Sequence, residues 1–312
     1  MSLARLWWCS VVCVAFIAAP GSFAASIEIT NLRTFSIPFG DRVTQVAIND
    51  NGDIAGTSFL TRTNSSQSGF VIPANGTPPI QVKNPAAQYT LVNGINNAGT
   101  LAGYYFGNDN LIHGFTYSAG TYTPVDVASY TYLFDINNKG DLTGYYSNIG
   151  ISATGFLIQG GSTVTFALPG YPLDTFGTGL NDSDQVVGYF GSVQSGFLRQ
   201  SDGSFQTFDF PAQGINNSGI IVGNGGGPNN TSLGMVRIGG TEYTFSFPGA
   251  TNTYLDGINN ANQVVGIYED ATFAAHIFEG QLVVPEPSTA CLCGSALILG
   301  AILVFRFGNF HA

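Results

Sequence analysis

Between its two ends, the chain is built from short runs in which apolar and polar residues alternate. Four such runs lie close together at 132–136, 141–146, 155–158 and 163–168, and segments rich in Asn, Gly or Pro separate them. Alternation with a period of two is typical of β-strands with one buried face, and the separating residues are typical of tight turns. Outside the two ends, no segment keeps a helical period. The pattern therefore predicts an all-β domain.

This group of strands is one copy of a repeated unit. In every copy, Ile or Leu followed by Asn stands seven residues ahead of a Gly, and neighbouring copies are 35 to 47 residues apart. A period of about 40 to 45 residues is typical of a four-stranded β-propeller blade. The repeat residues are Asn49, Asn96, Asn137, Asn181, Asn216 and Asn259, with Gly56, Gly103, Gly144, Gly188, Gly223 and Gly266. We therefore expect a six-bladed propeller over residues 25–284.

The order of strands within the repeats predicts how the ring closes. A strand with the pattern Thr-Phe-x-apolar-Pro ends several repeats, and the same pattern at 34–38 precedes the first repeat Asn. The last repeat ends near residue 280 without such a strand, so the N-terminal strand is expected to complete the last blade and remove the exposed edges. The alternative is an open β-repeat array, which would need capping units. Only four residues separate Pro211 from Asn216, so the first strand of the fifth repeat is expected to be truncated.

Two further features of the repeat carry structural expectations. Glycine inside a strand weakens pairing, so each repeat Gly indicates a bulge or a close approach of backbone. An aromatic pair follows several of these glycines, as in Tyr104-Tyr105, Tyr145-Tyr146 and Tyr189-Phe190. Successive strand residues point to opposite faces, so one ring of each pair is expected to pack between blades. The other ring either packs in the core as well or is free to stack on a sugar.

Composition narrows the choice of function. Charged residues make up 9% of the 312 residues and the net charge is -10, which argues against nucleic acid as a partner because phosphate binding needs clustered Lys and Arg. No Cys lies within 25–284, which excludes a disulfide framework and a Cys metal site there. The sequence has no G-x-S-x-G motif. We therefore expect a domain without enzymatic activity and without a cofactor.

A few polar residues remain as alternatives to this view. His113 and His276 each lie at a third-strand position, and we interpret them as structural. Asp126, Asp135, Asp174 and Asp256 would favour an enzyme if they converged in space. The turns at 49–53 and 181–184 offer several oxygen ligands, so calcium is a possible ligand of two repeats, although a hairpin turn explains all six.

The N-terminus has the pattern of a secretory signal peptide. Arg5 precedes an apolar run at 6–19, and small residues stand before a predicted cleavage between Ala24 and Ala25. The apolar run falls short of the roughly 20 residues that a spanning helix requires, which makes an uncleaved anchor the weaker alternative. Residues 1–24 are therefore predicted to be removed on export.

The C-terminus carries a second signal. Pro285, Glu286 and Pro287 precede an apolar run at 290–305, and Arg306 follows it. This tail resembles the PEP-CTERM sorting signal of Gram-negative bacteria. The resemblance implies a transmembrane helix at 290–305, transient anchoring in the inner membrane, processing by an exosortase-type enzyme, and delivery to the cell surface or outside the cell. The family pattern has several basic residues where this chain has Arg306 alone, and a plain tail anchor is the alternative.

The repeat itself resembles a known module. Gly94 to Gly99 with Gly103-Tyr104-Tyr105, and 135–140 with Gly144-Tyr145-Tyr146, are similar to the extracellular HAF repeat of secreted bacterial proteins. This resemblance covers 33–280 and carries no assigned activity. Taken with the sorting tail, it implies a surface or matrix protein whose propeller binds or scaffolds, with extracellular polysaccharide as a possible partner. The alternative is a propeller enzyme that acts on extracellular polysaccharide.

Overall fold

The computed structural model describes residues 25–60, 67–148, 152–191 and 195–284. The predicted signal peptide at 1–24 and the sorting tail at 285–312, with its helix at 290–305, lie outside the described residues. Within the described residues, no helix is long and apolar enough to cross a membrane. These residues form an all-β fold with a propeller-like arrangement of sheets, and their one helical element is a 3-10 turn at Pro228–Asn230.

Five sheets make up this arrangement, and their strands follow the repeats. The described part of the chain begins with β1 (Ala25–Ser26) and β2 (Ile29–Phe35). One sheet contains β3 (Arg42–Ile48), β4 (Ile54–Phe59), β5 (Ser68–Ile72) and β6 (Ile80–Val82). The next contains β7 (Ala87–Ile95), β8 (Leu101–Gly107), β9 (Ile112–Ser118), β10 (Thr121–Val125), β11 (Tyr130–Ile136), β12 (Leu142–Ser147), β13 (Thr154–Gln159) and β14 (Ser162–Phe166). In this eight-stranded sheet a single parallel pairing, Tyr130 with Ile112, joins two antiparallel groups of four strands.

The remaining three sheets complete the domain. One contains β15 (Thr175–Leu180), β16 (Val186–Phe190), β17 (Ser195–Arg199) and β18 (Phe205–Phe208). Another contains β19 (Ala212–Ile215), β20 (Ile221–Gly226), β21 (Ser232–Ile238) and β22 (Thr241–Phe245). The last contains β23 (Asn252–Ile258), β24 (Gln263–Glu269) and β25 (Ala275–Leu282). The fifth repeat therefore has all four of its strands, and its first strand is shortened to four residues.

The N-terminal segment ties the two ends of the domain together. Strand β2 pairs antiparallel with β25, from Ile29 opposite Leu282 to Phe35 opposite Ile277, and so adds a fourth strand to the last sheet. This pairing agrees with the strand order expected from the sequence. Strand β1 makes a second link, since it pairs in parallel with β22 at the outer edge of the neighbouring sheet. The sequence did not indicate this link.

The repeat glycines sit where a strand of the same repeat leaves no room for a side chain. A Cβ added at Gly144 would overlap the carbonyl oxygen of Tyr132 on β11 and lie 3.0 Å from the ring of Phe156 on β13. Strand β11 carries a bulge beside this point, since its pairing shifts between Leu133 and Asp135. The other five repeat glycines meet the equivalent first-strand carbonyl in the same way: Gly56, Gly103, Gly188, Gly223 and Gly266. The expected close backbone approach is present at all of them.

The core lies between the sheets and is built from third-strand aromatic rings. Five phenylalanines from these strands are fully buried: Phe70, Phe115, Phe156, Phe197 and Phe278. In the fifth repeat, Met235 takes this position and packs with Phe208, Phe210 and Ile221. The buried side chains thus fill the spaces between the sheets, while the first strands surround a central axis.

Candidate ligand-binding channel

One end of the axis is closed by the repeat asparagines, and Asn137 shows how each one works. Its side-chain oxygen accepts hydrogen bonds from the backbone amides of Lys139 (3.0 Å) and Asp141 (2.9 Å). Its side-chain nitrogen donates to the carbonyl oxygen of Asn181 in the next repeat, at 3.2 Å. The oxygen therefore holds the hairpin turn while the nitrogen holds the neighbouring repeat. Asn supplies both an acceptor and a donor at this position, and Asp and Ser cannot satisfy the two demands in the same geometry.

This link between repeats recurs until it returns to its start. The side-chain nitrogens donate in sequence from Asn49 to Asn96 (3.1 Å), Asn96 to Asn137 (3.2 Å), Asn137 to Asn181 (3.2 Å), Asn181 to Asn216 (3.1 Å), Asn216 to Asn259 (3.2 Å) and Asn259 to Asn49 (3.0 Å). All six side chains are buried. The cycle joins residues 210 positions apart in the chain and closes the ring of turns around the axis.

A second cycle lies one residue further along each turn, at Asp50, Asn97, Asn138, Asp182, Asn217 and Asn260. Each backbone amide donates to the side-chain oxygen of the equivalent residue in the next repeat, at 2.8 to 2.9 Å. Burial opposes ionisation of Asp50 and Asp182, but hydrogen bonds from the neighbouring amides outweigh it and lower the pKa of both carboxyls.

The second cycle bears on the calcium hypothesis. The carboxylate of Asp50 accepts from the side chains of Asn97 (2.7 Å) and Asn260 (2.9 Å), and that of Asp182 accepts from Asn138 (3.1 Å) and Asn217 (2.7 Å). The oxygens proposed as calcium ligands thus bind neighbouring repeats. Among the described residues, no three His, Cys, Asp or Glu side chains form a group that could hold a metal ion.

Beneath these rings the axis contains a small polar cavity of about 80 Å³. Its wall includes Gln45, Asn93, Asp135, Thr178, Gln213 and Asp256, which come from the first strands of the six repeats. Four carboxyl groups line it in all, from Asp50, Asp135, Asp182 and Asp256, and its described lining contains no Lys, Arg or His. The axial cavity is therefore an electronegative environment.

Asp135 uses one carboxylate oxygen within its own strand and the other to join the next repeat. One accepts from the backbone amide of Ile136 and the other from that of Leu180, each at 2.8 Å. Burial in the channel raises the pKa of Asp135 to about 7, and these two hydrogen bonds oppose the rise. This carboxyl group is consequently a bridge between β11 and β15.

Asp256 is bound on one side only. Its side chain accepts hydrogen bonds from the backbone amide of Val46 and the side chain of Asn224, while its Oδ2 atom is buried without a hydrogen-bond partner. Burial raises the pKa of this carboxyl to about 7. Asn224 is itself held in place, because its side-chain oxygen accepts from the Leu255 amide at 2.8 Å. A buried polar atom without a partner is uncommon in folded proteins and points to a role beyond folding.

Asp256 also lines a larger pocket of about 400 Å³, which shares Gln45, Gln213 and Asp256 with the axial cavity. Its outer lining includes Arg42, Thr44, Asn224, Tyr254 and Glu269. Arg42 and Glu269 form an ion pair of 3.5 Å at the edge of this pocket. We call it the polar pocket. Its volume lies within the range of about 300 to 1,000 Å³ that is usual for small-molecule sites.

A second pocket of about 210 Å³ has aromatic walls from the third and fourth repeats, whereas the polar pocket is lined by the first, fifth and sixth repeats. The rings of Tyr132 and Tyr145 stack with centroids 4.6 Å apart, and Phe176 meets Tyr145 edge-on at 4.9 Å. Ser147, Ser152, Ala153 and Asp174 complete the lining of this aromatic pocket. Burial, with a smaller contribution from Tyr132, raises the pKa of Tyr104 well above its usual range.

Strand register places both pockets at the same end of the domain. The asparagine turns join the end of each first strand to the start of each second strand. Tyr132 pairs with Tyr145, and Tyr254 pairs with Ile267, near the start of one strand and the end of the next. Since a hairpin's open end lies opposite its turn, both pockets lie at the end of the axis away from the asparagine rings. We call this the open end.

The structure brings together only part of the predicted chemistry. Asp135 and Asp256 share the axial cavity, whereas Asp126 and Asp174 lie elsewhere, so the four acids do not converge. His113 is held between Asp109 (3.0 Å) and Asp126 (3.1 Å). His276 bonds Asp270 at 3.0 Å. In the aromatic pairs, the second ring packs between sheets, as Phe190 does, and the first ring lies toward the channel, as Tyr145 does.

Sequence reasoning did not identify Gln45, Gln213 and Asn224 as channel residues. A signal for the channel was nevertheless present: a polar residue stands three positions before the repeat Asn in four repeats, at Asn93, Thr178, Gln213 and Asp256. In a strand that alternates strictly, this position would share a face with the residue just before the Asn. The bulge in each first strand alters that alternation, and the bulge was not located from the sequence.

Comparison with known proteins concerns the fold alone. No protein-family model and no curated protein matches the sequence. Among solved structures, TolB from Acinetobacter baumannii is 12% identical with a TM-score of 0.50, over 74% of this chain and 64% of that one. A streptogramin B lyase is 11% identical (TM-score 0.47, 82% and 98% covered), and an Aleuria aurantia lectin is 9% identical (TM-score 0.44, 78% and 94% covered). These solved structures are β-propellers.

Proposed function

We propose that this chain is an exported six-bladed β-propeller that binds extracellular polysaccharide at the open end of its channel. The observation that supports this function is the presence of a polar pocket and an aromatic pocket at that one end. Amide and carboxyl side chains can bond sugar hydroxyls, and aromatic rings offer flat apolar surfaces to sugar rings.

The six-blade count rests on the repeats and on the hydrogen-bond cycles. Six first strands each end at a repeat Asn, and the chain of side-chain bonds passes through all six before it returns to Asn49. Strand β2 supplies the fourth strand of the last group, which leaves no gap in the strand count. A closed ring of this kind holds its axial side chains in fixed positions, as a binding site requires.

We propose binding without catalysis as the role of the domain. Asp135 and Asp256 already serve as bridges between repeats, Asp135 through the backbone amide of Leu180 and Asp256 through Val46 and Asn224. A turnover assay on the same polysaccharides that bind would detect an enzyme. Release of reducing ends by the wild type, and its loss in Asp256→Asn, would favour the polysaccharide-acting enzyme instead.

Export and surface delivery belong to the same proposal. Removal of 1–24 would start the mature chain at Ala25, and the sorting tail would hold it in the inner membrane until an exosortase-type enzyme acts near Pro285-Glu286-Pro287. Replacing these three residues by Ala should make the anchored form accumulate while the propeller stays folded. Cell fractionation with an antibody against the propeller measures this. Equal release of variant and wild type would mean that the tail is an ordinary anchor.

The binding function can be tested with a matched pair of variants. Gln213 lines the polar pocket, whereas Gln206 is exposed on β18 and lines none of the pockets described above. Gln213→Ala should weaken binding of the full chain to an extracellular polysaccharide on a glycan array or by calorimetry, and Gln206→Ala should leave it unchanged. Loss of one buried-site hydrogen bond corresponds to about a tenfold weaker affinity. Absence of polysaccharide binding by the wild type would refute the proposed function.

A further inference from the structure

The unpartnered Oδ2 atom of Asp256 lies at the junction of the axial cavity and the polar pocket. The residue as a whole is 8% exposed, so bulk water cannot replace a missing partner freely. It lines both cavities, and Gln45 and Gln213 are its companions at their shared boundary. The side chain of Asp256 therefore forms part of the wall that a ligand in the polar pocket would contact.

Two equivalent residues in other repeats use their side chains to bond the next repeat. Asn93 donates to the carbonyl oxygen of Leu133 at 2.9 Å, and Thr178 donates to that of Ala212 at 2.9 Å. Each makes a bond from one repeat to the next with a neutral side chain. Asp256 makes its bonds to Val46 and Asn224 with one side of the carboxyl group. Asn at this position would form the bonds between repeats equally well. Those bonds therefore do not explain the second oxygen of Asp256 or its ability to carry a negative charge.

The charges around this oxygen favour a cationic group. At the rim, Arg42 is paired with Glu269, and Glu269 also accepts from the side chain of Asn252 at 2.7 Å. These two rim charges cancel, so no cation of the described lining compensates the carboxyl group of Asp256 when it ionises. An isolated buried charge is costly, and a positively charged donor is the partner that removes the cost most fully.

Resting on the proposed polysaccharide-binding function, we propose that the polar pocket binds an amino sugar whose protonated amine pairs with the carboxyl group of Asp256. The amide side chains of Gln45, Gln213 and Asn224 surround the same space and suit the hydroxyl groups of the ring. The pocket volume of about 400 Å³ accommodates a sugar unit with bound water. The ligand class is therefore a polysaccharide that carries free amines, such as one made of glucosamine units.

The test uses a pair of probes that differ only at the nitrogen. Binding of the full chain to glucosamine oligomers and to the matching N-acetylglucosamine oligomers is measured by calorimetry at neutral pH. We expect the free-amine oligomer to bind at least about tenfold tighter, since hydrogen bonds to charged groups are the stronger class. Asp256→Asn should reduce this difference between the two oligomers to less than about twofold.

The control addresses the overall negative charge, which would attract any polyamine. Asp209 is exposed beside β18, so Asp209→Asn removes the same charge without altering the pocket. If Asp209→Asn weakens amine binding as much as Asp256→Asn does, attraction is general and the inference is overturned. If wild type binds both oligomers with equal affinity and Gln213→Ala weakens that binding, the amine contact is overturned. The proposed polysaccharide-binding function would then still hold. Failure to bind either oligomer while another polysaccharide binds overturns the ligand class alone.

Discussion

Replacement of Asp256 by Asn should change how the stability of the domain depends on pH. The pKa of this carboxyl is raised by burial to about 7 in the folded protein, against 3.8 for an exposed aspartate. Between these two pH values, the folded protein holds the proton more tightly than the unfolded chain does. The stability contributed by this group is therefore full below about pH 4, is lost as the pH rises towards 7, and stays constant at higher pH.

The size of the effect follows from the difference between the two pKa values. A difference of about three units, at about 1.36 kcal/mol for each unit, corresponds to as much as about 4 kcal/mol between pH 4 and pH 7.5. Asn has the same shape and keeps an oxygen for the Val46 amide, but it does not ionise. The free energy of unfolding of Asp256→Asn, relative to wild type, should rise by this amount over that pH range, on top of any constant difference.

Urea unfolding of both proteins at several pH values between 4 and 8 measures this quantity. Asp135 also has a raised pKa and is present in both proteins, so only the difference between the two curves reports on Asp256. Asp209→Asn removes an exposed carboxylate and should follow the wild-type curve. If the curves of Asp256→Asn and wild type run parallel from pH 4 to 8, then Asp256 is not buried from solvent as described.

Three further changes test the architecture. Asn137→Asp removes the donor to the Asn181 carbonyl oxygen and should lower the free energy of unfolding by about 2 to 3 kcal/mol in urea, and an unchanged midpoint would show that the cycle adds no stability. Gly144→Ala should lower the free energy of unfolding by more than about 1 kcal/mol, because the added Cβ overlaps the Tyr132 carbonyl. Gly226→Ala should change it by no more than about 0.5 kcal/mol, because no atom lies within 4 Å of the added Cβ. Equal shifts of the melting temperature would contradict the steric argument. Deletion of 25–40 removes β1 and β2 and should cause aggregation on size-exclusion chromatography, and a truncated monomer with the wild-type melting temperature would disprove closure by this segment.

The sequence predicted the repeating elements closely because their signals are local. The strands expected at 132–136, 141–146, 155–158 and 163–168 occur as β11 to β14, with ends that differ by two residues or fewer. Alternation of side chains, turn residues and the spacing from Asn to Gly all act within a few neighbouring residues. The same reasoning indicated that an N-terminal strand would pair with the last repeat, since one strand was missing at one end and present at the other.

The expected truncation in the fifth repeat shows where local reasoning ends. Strand β19 is short, but β1 adds to the far edge of the same sheet, from the other end of the sequence. Nothing in the short segment at 25–26 indicates this partner. A parallel pairing of two residues is decided by the position of β2, which brings the preceding residues beside β22.

What the sequence alone determined is the repeat, its strands and the residues that a turn requires. Only the tertiary structure decided that the repeat asparagines form a cycle, because each donates to a carbonyl group at least 35 residues away. It also decided that Gln45, Gln213 and Asp256 share one cavity. Those three side chains meet because their strands surround a common axis and because bulges set their register. Neither condition leaves a signal in the residues adjacent to them.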